Sequence, residues 1–539
     1  MRLVLTNLTL KDVRPKIKEL VDNLFQRVPA GVGSTGFVKL NKQQFHEIIE
    51  TGAKWCVEND YGWEEDLERT EEDGLMKGAD ASKVSDRAFK RGIEQIGTLG
   101  SGNHYLEIQH AAQIFDEETA KAFGIVEKDQ IVIMFHCLPG DSKVLTEHGC
   151  WVRIKDLEKK KFSVKCFDPT SHEVTKAEIE KFYKIRGKEK LFRIRTKSGK
   201  IIRATEDHPL LTKDGLKIPN EIKQGEKVAV MPFEGVEYEE PSDKIIVSEE
   251  DIRKIENNER IINKLKKLNL LPLRYNSTNL PILTKLIGFM TGDGWLGKSH
   301  DTLNGQRRER WTLKLIGKPD DLKIVKADIE KLGYKTSAYS QECKSQITYT
   351  DGTIRKIEGQ THTIVAGATS LPILLLALGA PFGNKSRNAF EVPKWLLDAP
   401  LWIKRLYLAG YFGAEMTKPL MRKNEKYRFG NPSISVNKLE TQKNNGLIFL
   451  DQIKKLLEEF GVDSIKVTEH TGVVTKSGNT IKLRLKLSSK EKNLRKLWAN
   501  IGFEYCQDRT NLSNYVLQYM QAKKKLIEKL KKARTDHKL

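Results

Sequence analysis

The chain changes character abruptly between His136 and Cys137, and this junction constrains every interpretation of the fold. Before it, the apolar run Ile131–Phe135 predicts a buried strand that ends at His136. After it, Cys137 leads into a Leu-Pro-Gly-Asp run. Because proline fixes φ and glycine permits unusual φ values, we expect a sharp turn just after the thiol. Two interpretations stay open here: a buried strand-end cysteine before a turn, or a nucleophile that begins a second domain.

The composition fits several globular domains that meet nucleic acid. The chain has 539 residues, enough for about three or four domains, and 39% of them are hydrophobic, which argues against full disorder. Its net charge of +21 indicates a nucleic-acid partner, or else a Lys- and Glu-rich surface typical of thermophile proteins. Its six cysteines form no CxxC pair, which argues against structural zinc and a secreted disulfide scaffold. With neither a signal peptide nor an apolar run of about 18 residues, we expect a cytoplasmic protein.

A glycine-rich stretch, Gly97–Glu107, carries side chains that bind metals. Glycines let the backbone approach a ligand closely, and the imidazole of His104 and the carboxylate of Glu107 suit a divalent metal. A turn with a hydrogen-bonded histidine is the alternative. His136 stands at the C-terminal end of its strand, where ligands often bind in α/β proteins.

Residues 1–136 resemble an internal segment of the RtcB-type RNA-splicing ligase family. The runs that carry the resemblance are 28–34, 52–55, 61–68, 97–107 and 132–136. The family joins an RNA 3′-phosphate or 2′,3′-cyclic phosphate to a 5′-hydroxyl, with GTP, manganese and a guanylylated histidine. The resemblance implies that His104 and His136 bind manganese. It also implies that the GTP site is lined by Asn103, His104, Tyr105, Leu106 and Glu107.

This segment departs from the family in ways that limit its chemistry. The family's Asp-x-x-Cys metal motif would precede residue 1. Its later metal histidine and guanylylated histidine would follow His136, where no run resembles them. Two ligands cannot build a two-metal site, so we expect no RNA ligation by this segment alone. The junction therefore predicts an insertion inside an active site.

Strand-like patterns dominate after the junction. They predict strands at 142–146, 151–154 and 227–230, and a hairpin over 191–205 that turns near Gly199. A thiol that attacks a peptide carbonyl needs a polarised amide and an acid for the leaving nitrogen. Cys137, with Thr205 and His208 in a Thr-x-x-His motif, supplies residue types for these roles, although His208 taken alone fits a structural histidine better.

Cys137–Ser142 followed by Ala204–Thr212 resembles the N-terminal splicing half of an intein. The resemblance implies an all-β Hint-type domain in which the Cys137 sulfur attacks the carbonyl of His136. Thr205 and His208 would polarise the scissile amide and protonate its nitrogen.

A repeated apolar pattern follows in the second half of the chain. The first copy, Leu286–Gly294, predicts a helix with Gly288 and Gly292 about one turn apart, which would allow close helix contact. The second copy, Leu408–Met416, predicts a pseudo-symmetric partner, whereas each copy alone would fit an ordinary core helix.

Both copies resemble the LAGLIDADG homing-endonuclease motif. The family stacks these helices, and one acid from each holds a divalent metal for cutting both DNA strands. By position the acids are Asp293 and Glu415, and the cofactor is Mg²⁺. Glutamate in place of aspartate at 415, and Met416 in place of the final glycine, make the fold a firmer expectation than the cutting.

Basic segments accompany these motifs. Those at 307–315, 422–426 and 475–487 fit DNA-binding strands or solvated strand faces. A Lys/Glu-rich helix is predicted over 250–269, and a basic helix over 511–534. No His-Asn pair, which an intein needs near its end, occurs in the chain, so we expect the chain to be shorter than both families at both ends.

The sequence therefore predicts a multi-domain protein. Its parts are an α+β RNA-ligase fragment (1–136), the N-terminal half of an intein splicing domain (137–240), an α/β LAGLIDADG endonuclease with two pseudo-symmetric halves (241–510) and a basic helical tail (511–539). Expected partners are double-stranded DNA, RNA or tRNA halves for the mature ligase, and a second polypeptide if the intein is split. The alternatives are that split system and a decayed, non-catalytic DNA-binding protein.

Overall fold

The helices and strands come from a computed structural model of the chain, which describes most but not all residues. The described residues are 2–27, 38–68, 70–93, 96–98, 105–122, 124–136, 142–157, 160, 162–168, 173–179, 191–196, 200–205, 208, 210–213, 215–303, 306–422, 425 and 428–536.

The helices are concentrated in the second half of the chain. In chain order they are α1 (Leu10–Val13), α2 (Ile17–Arg27), α3 (Lys42–Thr51), α4 (Ala53–Glu58), α5 (Glu64–Glu68), α6 (Asp86–Gly92), α7 (Glu117–Ala122), α8 (Ile154–Leu157), α9 (Glu249–Ile255), α10 (Glu259–Lys267), α11 (Leu280–Asp293), α12 (Pro319–Lys331), α13 (Ser370–Ala377), α14 (Lys394–Leu397), α15 (Leu401–Glu415), α16 (Lys443–Glu459), α17 (Glu491–Arg495) and α18 (Gln507–Asp536). None of the described helices is both long and apolar enough to cross a membrane.

The strands form several small sheets. In chain order they are β1 (Arg2–Thr9), β2 (Tyr105–His110), β3 (Gln130–His136), β4 (Lys143–Leu145), β5 (Cys150–Arg153), β6 (Val164–Asp168), β7 (Glu173–Ala177), β8 (Leu191–Arg195), β9 (Ile201–Thr205), β10 (Leu210–Thr212), β11 (Gly215–Lys217), β12 (Val236–Glu237), β13 (Ile245–Val247), β14 (Leu273–Arg274), β15 (Gly294–Leu303), β16 (Gln306–Gly317), β17 (Thr336–Thr348), β18 (Ile354–Ala366), β19 (Ser433–Leu439), β20 (Ser464–His470), β21 (Val474–Thr475) and β22 (Gly478–Leu487).

The chain divides into two compact units, and neither is a single continuous segment. The first holds 1–143, 153–161 and 178–229, and the second holds 144–152, 162–177 and 230–539. The splicing segment contributes residues to both units. The boundaries between the four domains predicted from sequence stay a prediction.

In the first unit, β3 is the middle strand of an antiparallel sheet ordered β1-β3-β2. Its apolar residues Ile131 and Val132 are buried, as the continuous apolar run predicted. The predicted hairpin is also present, with Leu191 of β8 opposite Thr205 of β9. No strand forms at 227–230, where Val228 makes only an isolated bridge to Thr212, so that prediction was wrong. Beyond that bridge nothing in the described residues pairs with the segment, and an unpaired run does not become a strand.

The second unit contains two halves that each join a long central helix, a second helix and an antiparallel sheet; among the described residues, two strands separate the helices of the first half and one separates those of the second. The first half runs α11, β15, β16, α12, β17, β18, and its sheet is ordered β15-β16-β18-β17. The second half runs α15, β19, α16, β20, β22, and its sheet is ordered β19-β22-β20. Two halves built alike confirm the predicted pseudo-symmetric architecture.

One predicted helix is two helices in the structure. The Lys/Glu-rich pattern at 250–269 divides into α9 and α10, so the prediction of one helix was wrong. Glu256 ends α9 in an extended conformation, and the Asn258 side chain accepts a hydrogen bond from the backbone N–H of Arg260 as the cap of α10. Asparagine favours such caps over helix interiors, because its side chain competes for backbone hydrogen bonds.

Candidate functional site

The two glycine-bearing helices, α11 and α15, meet backbone to backbone. A Cβ atom on Gly288 would lie 2.1 Å from the carbonyl oxygen of Tyr407, and one on Gly410 would lie 2.5 Å from that of Lys285. Both gaps are too short for any side chain, and the obstructing atoms belong to the opposite backbone. The predicted close contact is therefore present, and only glycine permits it at these two positions.

This packing brings the ends of the two helices together, and the predicted acids are their last residues. Asp293 ends α11 and Glu415 ends α15. The Glu415 side chain lies against Gly292, since a Cβ there would be 2.9 Å from its Cγ. The acids predicted by position are thus neighbours at one end of the helix pair.

The surroundings of both acids favour their neutral forms. Asp293 stays open to solvent, yet the protein around its carboxyl group raises its pKa, against the opposing charges of Lys385 and Arg509. Burial, together with the negative charge of Asp293, raises the pKa of Glu415 to about 7. Two carboxylates forced together hold a proton unless a cation neutralises them.

A cation lies at the C-terminal end of each helix. The Lys385 ammonium donates hydrogen bonds to the carbonyls of Met290 at 3.1 Å, Thr291 at 3.2 Å and Gly292. The Arg509 guanidinium donates to the carbonyls of Gly413 and, at 3.3 Å, Ala414. These carbonyls belong to the last turn of each helix, ahead of its acid, where intrahelical donors run out. The Met290 carbonyl also accepts from the Gly294 N–H that caps α11. Burial lowers the pKa of Lys385 to about 8, although the charges of Glu415 and Asp293 oppose the shift.

Sequence reasoning missed both cations, although one signal could have found them. Lys385 follows Asp293 at nearly the same chain separation at which Arg509 follows Glu415. An alignment of the two halves on their acids would have paired these positions. The helical repeat contains neither Lys385 nor Arg509, so the repeat alone identifies neither cation.

The donor set fits a hard divalent cation. Carboxylate oxygens are the ligands that Mg²⁺ prefers, and it usually takes one or two of them together with water and substrate phosphate. The described residues contain no group of three or more His, Cys, Asp or Glu side chains placed to hold a metal, so a protein-only cage is not formed there. Asp293 and Glu415 would therefore leave room for phosphate oxygens.

The predicted splicing residues are described only in part. Cys137 lies outside the described residues. Thr205 has its backbone at the end of β9, but its side chain is outside the description. The His208 side chain is partly buried, and burial lowers its pKa, which favours the neutral imidazole. Whether these three residues meet stays a prediction.

The predicted ligase ligands are likewise described through their backbones. Asn103 and His104 lie outside the described residues, and the side chains of Tyr105, Leu106, Glu107 and His136 are not described. The backbone register nevertheless places Tyr105 of β2 directly opposite His136 of β3. The start of β2 and the end of β3 therefore lie at the same end of the sheet, as a ligand site shared by the two strands requires.

A buried ion pair joins α15 to the splicing segment within the second unit. Arg405, 1% exposed, donates to the carbonyl of His148 at 2.7 Å and to Glu504 at 2.9 Å. Gly149 has a φ of +71°, and a Cβ there would lie 2.6 Å from the Arg405 Cζ. Burial alone would raise the pKa of Glu504, but the charges of Arg405, Lys285 and Lys165 hold it at about 2. The turn between β4 and β5 is thus fixed on the second glycine-bearing helix.

Two of the three predicted basic segments lie in strands, and the third is described only in part. Residues 307–315 fall within β16 and 478–487 form β22, so both are strands. The segment at 422–426 lies partly outside the described residues, and Arg422 there pairs with Glu425 at 2.7 Å. Their contact with DNA stays a prediction.

Comparison with known families identifies two family models that match the chain and overlap over residues 143–175. The model of the family described as "tRNA-splicing ligase RtcB" matches residues 1–175, and that of the "Intein splicing domain" matches 143–536.

Three relatives show how the similarity is distributed. The tRNA-splicing ligase RtcB of Methanopyrus kandleri is 31% identical over 474 residues, which are 86% of this chain and 44% of that protein. The ligase of the same name from Pyrococcus horikoshii is 58% identical over 135 residues, 25% of this chain and 15% of its own. The DNA-directed RNA polymerase subunit Rpo1N of Methanocaldococcus jannaschii is 32% identical over 402 residues, 73% of this chain and 29% of its own. The chain thus spans less than half the length of these relatives.

Proposed function

This chain belongs to the intein family and carries an RtcB-type ligase segment ahead of the intein, and from that premise we propose that it is a ligase precursor whose intein begins its own excision and cuts DNA. The observation that carries the DNA-cutting part is the pair of acids, Asp293 and Glu415, at the ends of two helices in backbone contact. The substrate is double-stranded DNA at the insertion site of the uninterrupted ligase gene.

The acids and the cations have separate roles in this proposal. Asp293 and Glu415 would hold Mg²⁺, and the bound ion would supply Lewis-acid stabilisation of the charge on the phosphodiester oxygens. Lys385 and Arg509 hold the carbonyl ends of the two helices, so the acids keep their positions when the phosphate approaches. The raised pKa values of both acids support a site that awaits a cation.

Incubation of the full chain with Mg²⁺ and a plasmid carrying an uninterrupted RtcB gene tests the proposal. We expect a double-strand break that Asp293→Asn and Glu415→Gln each reduce at least about 100-fold, because each removes a metal-binding charge worth several kcal/mol. Glu250→Gln is the matched control, since Glu250 pairs with the exposed Lys254 on α9, outside the site. If the plasmid stays intact and Asp293→Asn changes nothing, the decayed DNA-binding alternative is correct; the departures at Glu415 and Met416 favour that alternative.

The splicing step proceeds at the His136–Cys137 bond. The Cys137 sulfur attacks the carbonyl carbon of His136, the C–N bond to Cys137 breaks, and a thioester forms. Thr205 polarises the scissile amide. The proton of the thiol passes through His208 to the leaving nitrogen, which becomes an amine. The lowered pKa of His208 supports a neutral imidazole able to accept and return that proton. The alternative is a split intein, in which a second polypeptide supplies the further splicing strands.

For the mature ligase, we propose the activity implied by the resemblance. His104 and His136 bind manganese, and Asn103–Glu107 line a GTP site, for joining RNA ends such as tRNA halves. Tyr105 opposite His136 supports a common site at this sheet edge. The test is manganese binding by the excised, rejoined ligase and not by this segment alone.

A further inference from the structure

The long helix α18 has two parts with different surroundings. Its first part packs into the second unit through Ser513, Val516, Leu517 and Met520, all buried. From Lys524 onward most side chains are exposed, including Leu526 at 58% and Leu530 at 60%. The fold therefore uses the first part as an anchor and leaves the second part as a solvent-exposed arm.

The anchor of α18 lies at the candidate cutting site. The backbone N–H of Gln507 donates to Asp321 at 2.8 Å, and Asp508 accepts from Lys318 and, at 3.3 Å, from Lys418. Arg509 caps the helix that ends in Glu415. The first turn of α18 is thus tied to elements of both halves and to the second acid.

The exposed arm, residues 523–534, is strongly basic. It carries seven Lys or Arg residues against the single acid Glu528. Lys525 and Lys529 are four residues apart, so they lie on the same side of the helix, where like charges repel. Lys523 pairs with Glu491, whereas no acidic partner within ion-pair distance is seen for Lys524, Lys525 or Lys529 among the described residues. An external anion would offset this repulsion.

The distance from the anchor suits DNA that passes through the cutting site. At a rise of 1.5 Å per residue, Lys524 and Lys529 lie about 22 and 30 Å along the helix from Arg509. Duplex DNA presents a phosphate on each strand about every 3.4 Å of its axis. A duplex bound at Glu415 with its axis along α18 would therefore offer phosphates at the reach of the arm.

We propose that residues 523–534 of α18 bind the phosphate backbone of the duplex on one side of the cutting position. The proposal rests on the DNA substrate of the proposed function. Beyond its first turn, α18 contacts the second half through Tyr519 against Phe429 and Lys523 against Glu491, so the arm extends the footprint on the side of that half. The contact is to phosphate, so it adds affinity without reading sequence.

The test is the salt dependence of binding to a random-sequence 40-base-pair duplex in the absence of metal. The triple variant K524Q/K525Q/K529Q removes three exposed charges from the arm. Each lost phosphate contact lowers the slope of log K against log salt by about 0.9, so the slope should fall by up to about 2.7. The matched control, K264Q/K266Q/K267Q on α10, removes the same charge from another exposed helix face and should leave the slope near that of the wild type.

Each outcome has a definite meaning. Equal slopes for the two triple variants would contradict the proposal for the arm, since the loss of any three charges would then have the same effect on DNA binding. If the arm variant keeps the wild-type slope and the chain still cuts its plasmid, the proposal for the arm is wrong and the proposed function stands. If the wild type neither binds nor cuts DNA, the proposed function itself is wrong. If the arm variant binds normally but L526Q/L530Q alters the sedimentation of the protein, the arm contacts protein and the proposal is wrong.

Discussion

Lys385 and Arg509 show how single residues set the chemistry of a carboxylate pair. Each donates to the terminal carbonyls of one helix, just ahead of its acid. The ends of helices carry partial negative charge, which adds to that of Asp293 and Glu415. A cation at each end offsets this accumulation, so two acids can stay close together in a folded protein.

We predict that Lys385→Met slows DNA cutting at least about tenfold, because it leaves the carbonyls at the end of α11 without their donor and shifts Asp293. Lys385→Arg should restore part of the rate, since a guanidinium can also cap carbonyls. The control is Lys394→Met, an exposed lysine of α14. Cleavage rates at saturating Mg²⁺ give the comparison, and a wild-type rate for Lys385→Met would contradict the capping role.

A second prediction at this scale concerns acid stability. The pKa of Glu504 is about 2 in the folded chain against an ordinary 4.5, so the unfolded chain binds more protons between these values. The stability from its ion pair is therefore complete above pH 4.5 and is lost as pH falls towards 2. Glu504→Gln should flatten this part of the curve of unfolding free energy against pH. A curve of unchanged shape would show that Glu504 is not held as a charged group.

At the scale of elements, α11 and α15 form the frame of the second unit. Both are largely apolar and almost wholly buried, which is typical of central helices, and charged side chains such as Lys285 and Arg405 are buried there in ion pairs. Their register is fixed by glycines whose missing side chains allow backbone contact. The sequence repeat predicted the helices and their contact, but it does not extend to Lys385, which lies in a loop between α13 and α14.

Substitution of either contact glycine should separate the helices. We expect Gly288→Ala and Gly410→Ala each to destabilise the fold by about 1–3 kcal/mol or more, since the obstructing atoms are backbone carbonyls that cannot rotate away. Gly359→Ala in β18 is the control, because a Cβ there meets nothing within 4 Å. Thermal unfolding measures the difference, and an equal melting temperature for Gly288→Ala and the control would contradict the contact.

The buried pair of α15 gives the other prediction for this element. Arg405→Met should cost about 3–5 kcal/mol, because it leaves Glu504 buried without its partner. Arg428→Ala, which breaks a surface pair to Glu425, should cost no more than about 1 kcal/mol. Urea unfolding of both variants separates the two cases. A small loss for Arg405→Met would mean that water reaches Glu504.

At the scale of the whole molecule, parts of the splicing segment belong to the same compact unit as the helical repeat. Residues 144–152 pack on α15 through His148 and Gly149 rather than standing apart as a separate domain. Residues on the two sides of the predicted boundary at 240 therefore contact each other, and the boundary itself stays a prediction. No local pattern marks such packing, because it joins residues far apart in the chain.

One prediction belongs to the intact chain. A thiol such as dithiothreitol should release residues 1–136 by attack on the thioester, and Cys137→Ala should abolish the release because no sulfur is present to form it. Mass spectrometry of the released fragment identifies the cut after His136. Cys166→Ala serves as the control for a thiol outside the junction. Purified, folded protein that releases nothing would contradict an active N-terminal splicing half.

The sequence by itself determined the strand ending at His136, the helical repeat with its acids Asp293 and Glu415, and the family of each segment. These follow from local periodicity and short motifs, which need no knowledge of distant contacts. Only the tertiary structure decided that Lys385 and Arg509 cap the two helix ends, that Arg405 binds the splicing turn, and that the helix over 250–269 breaks in two. The reason is physical: burial, charge pairing and carbonyl capping depend on which residues meet in space, and chain separation does not record that.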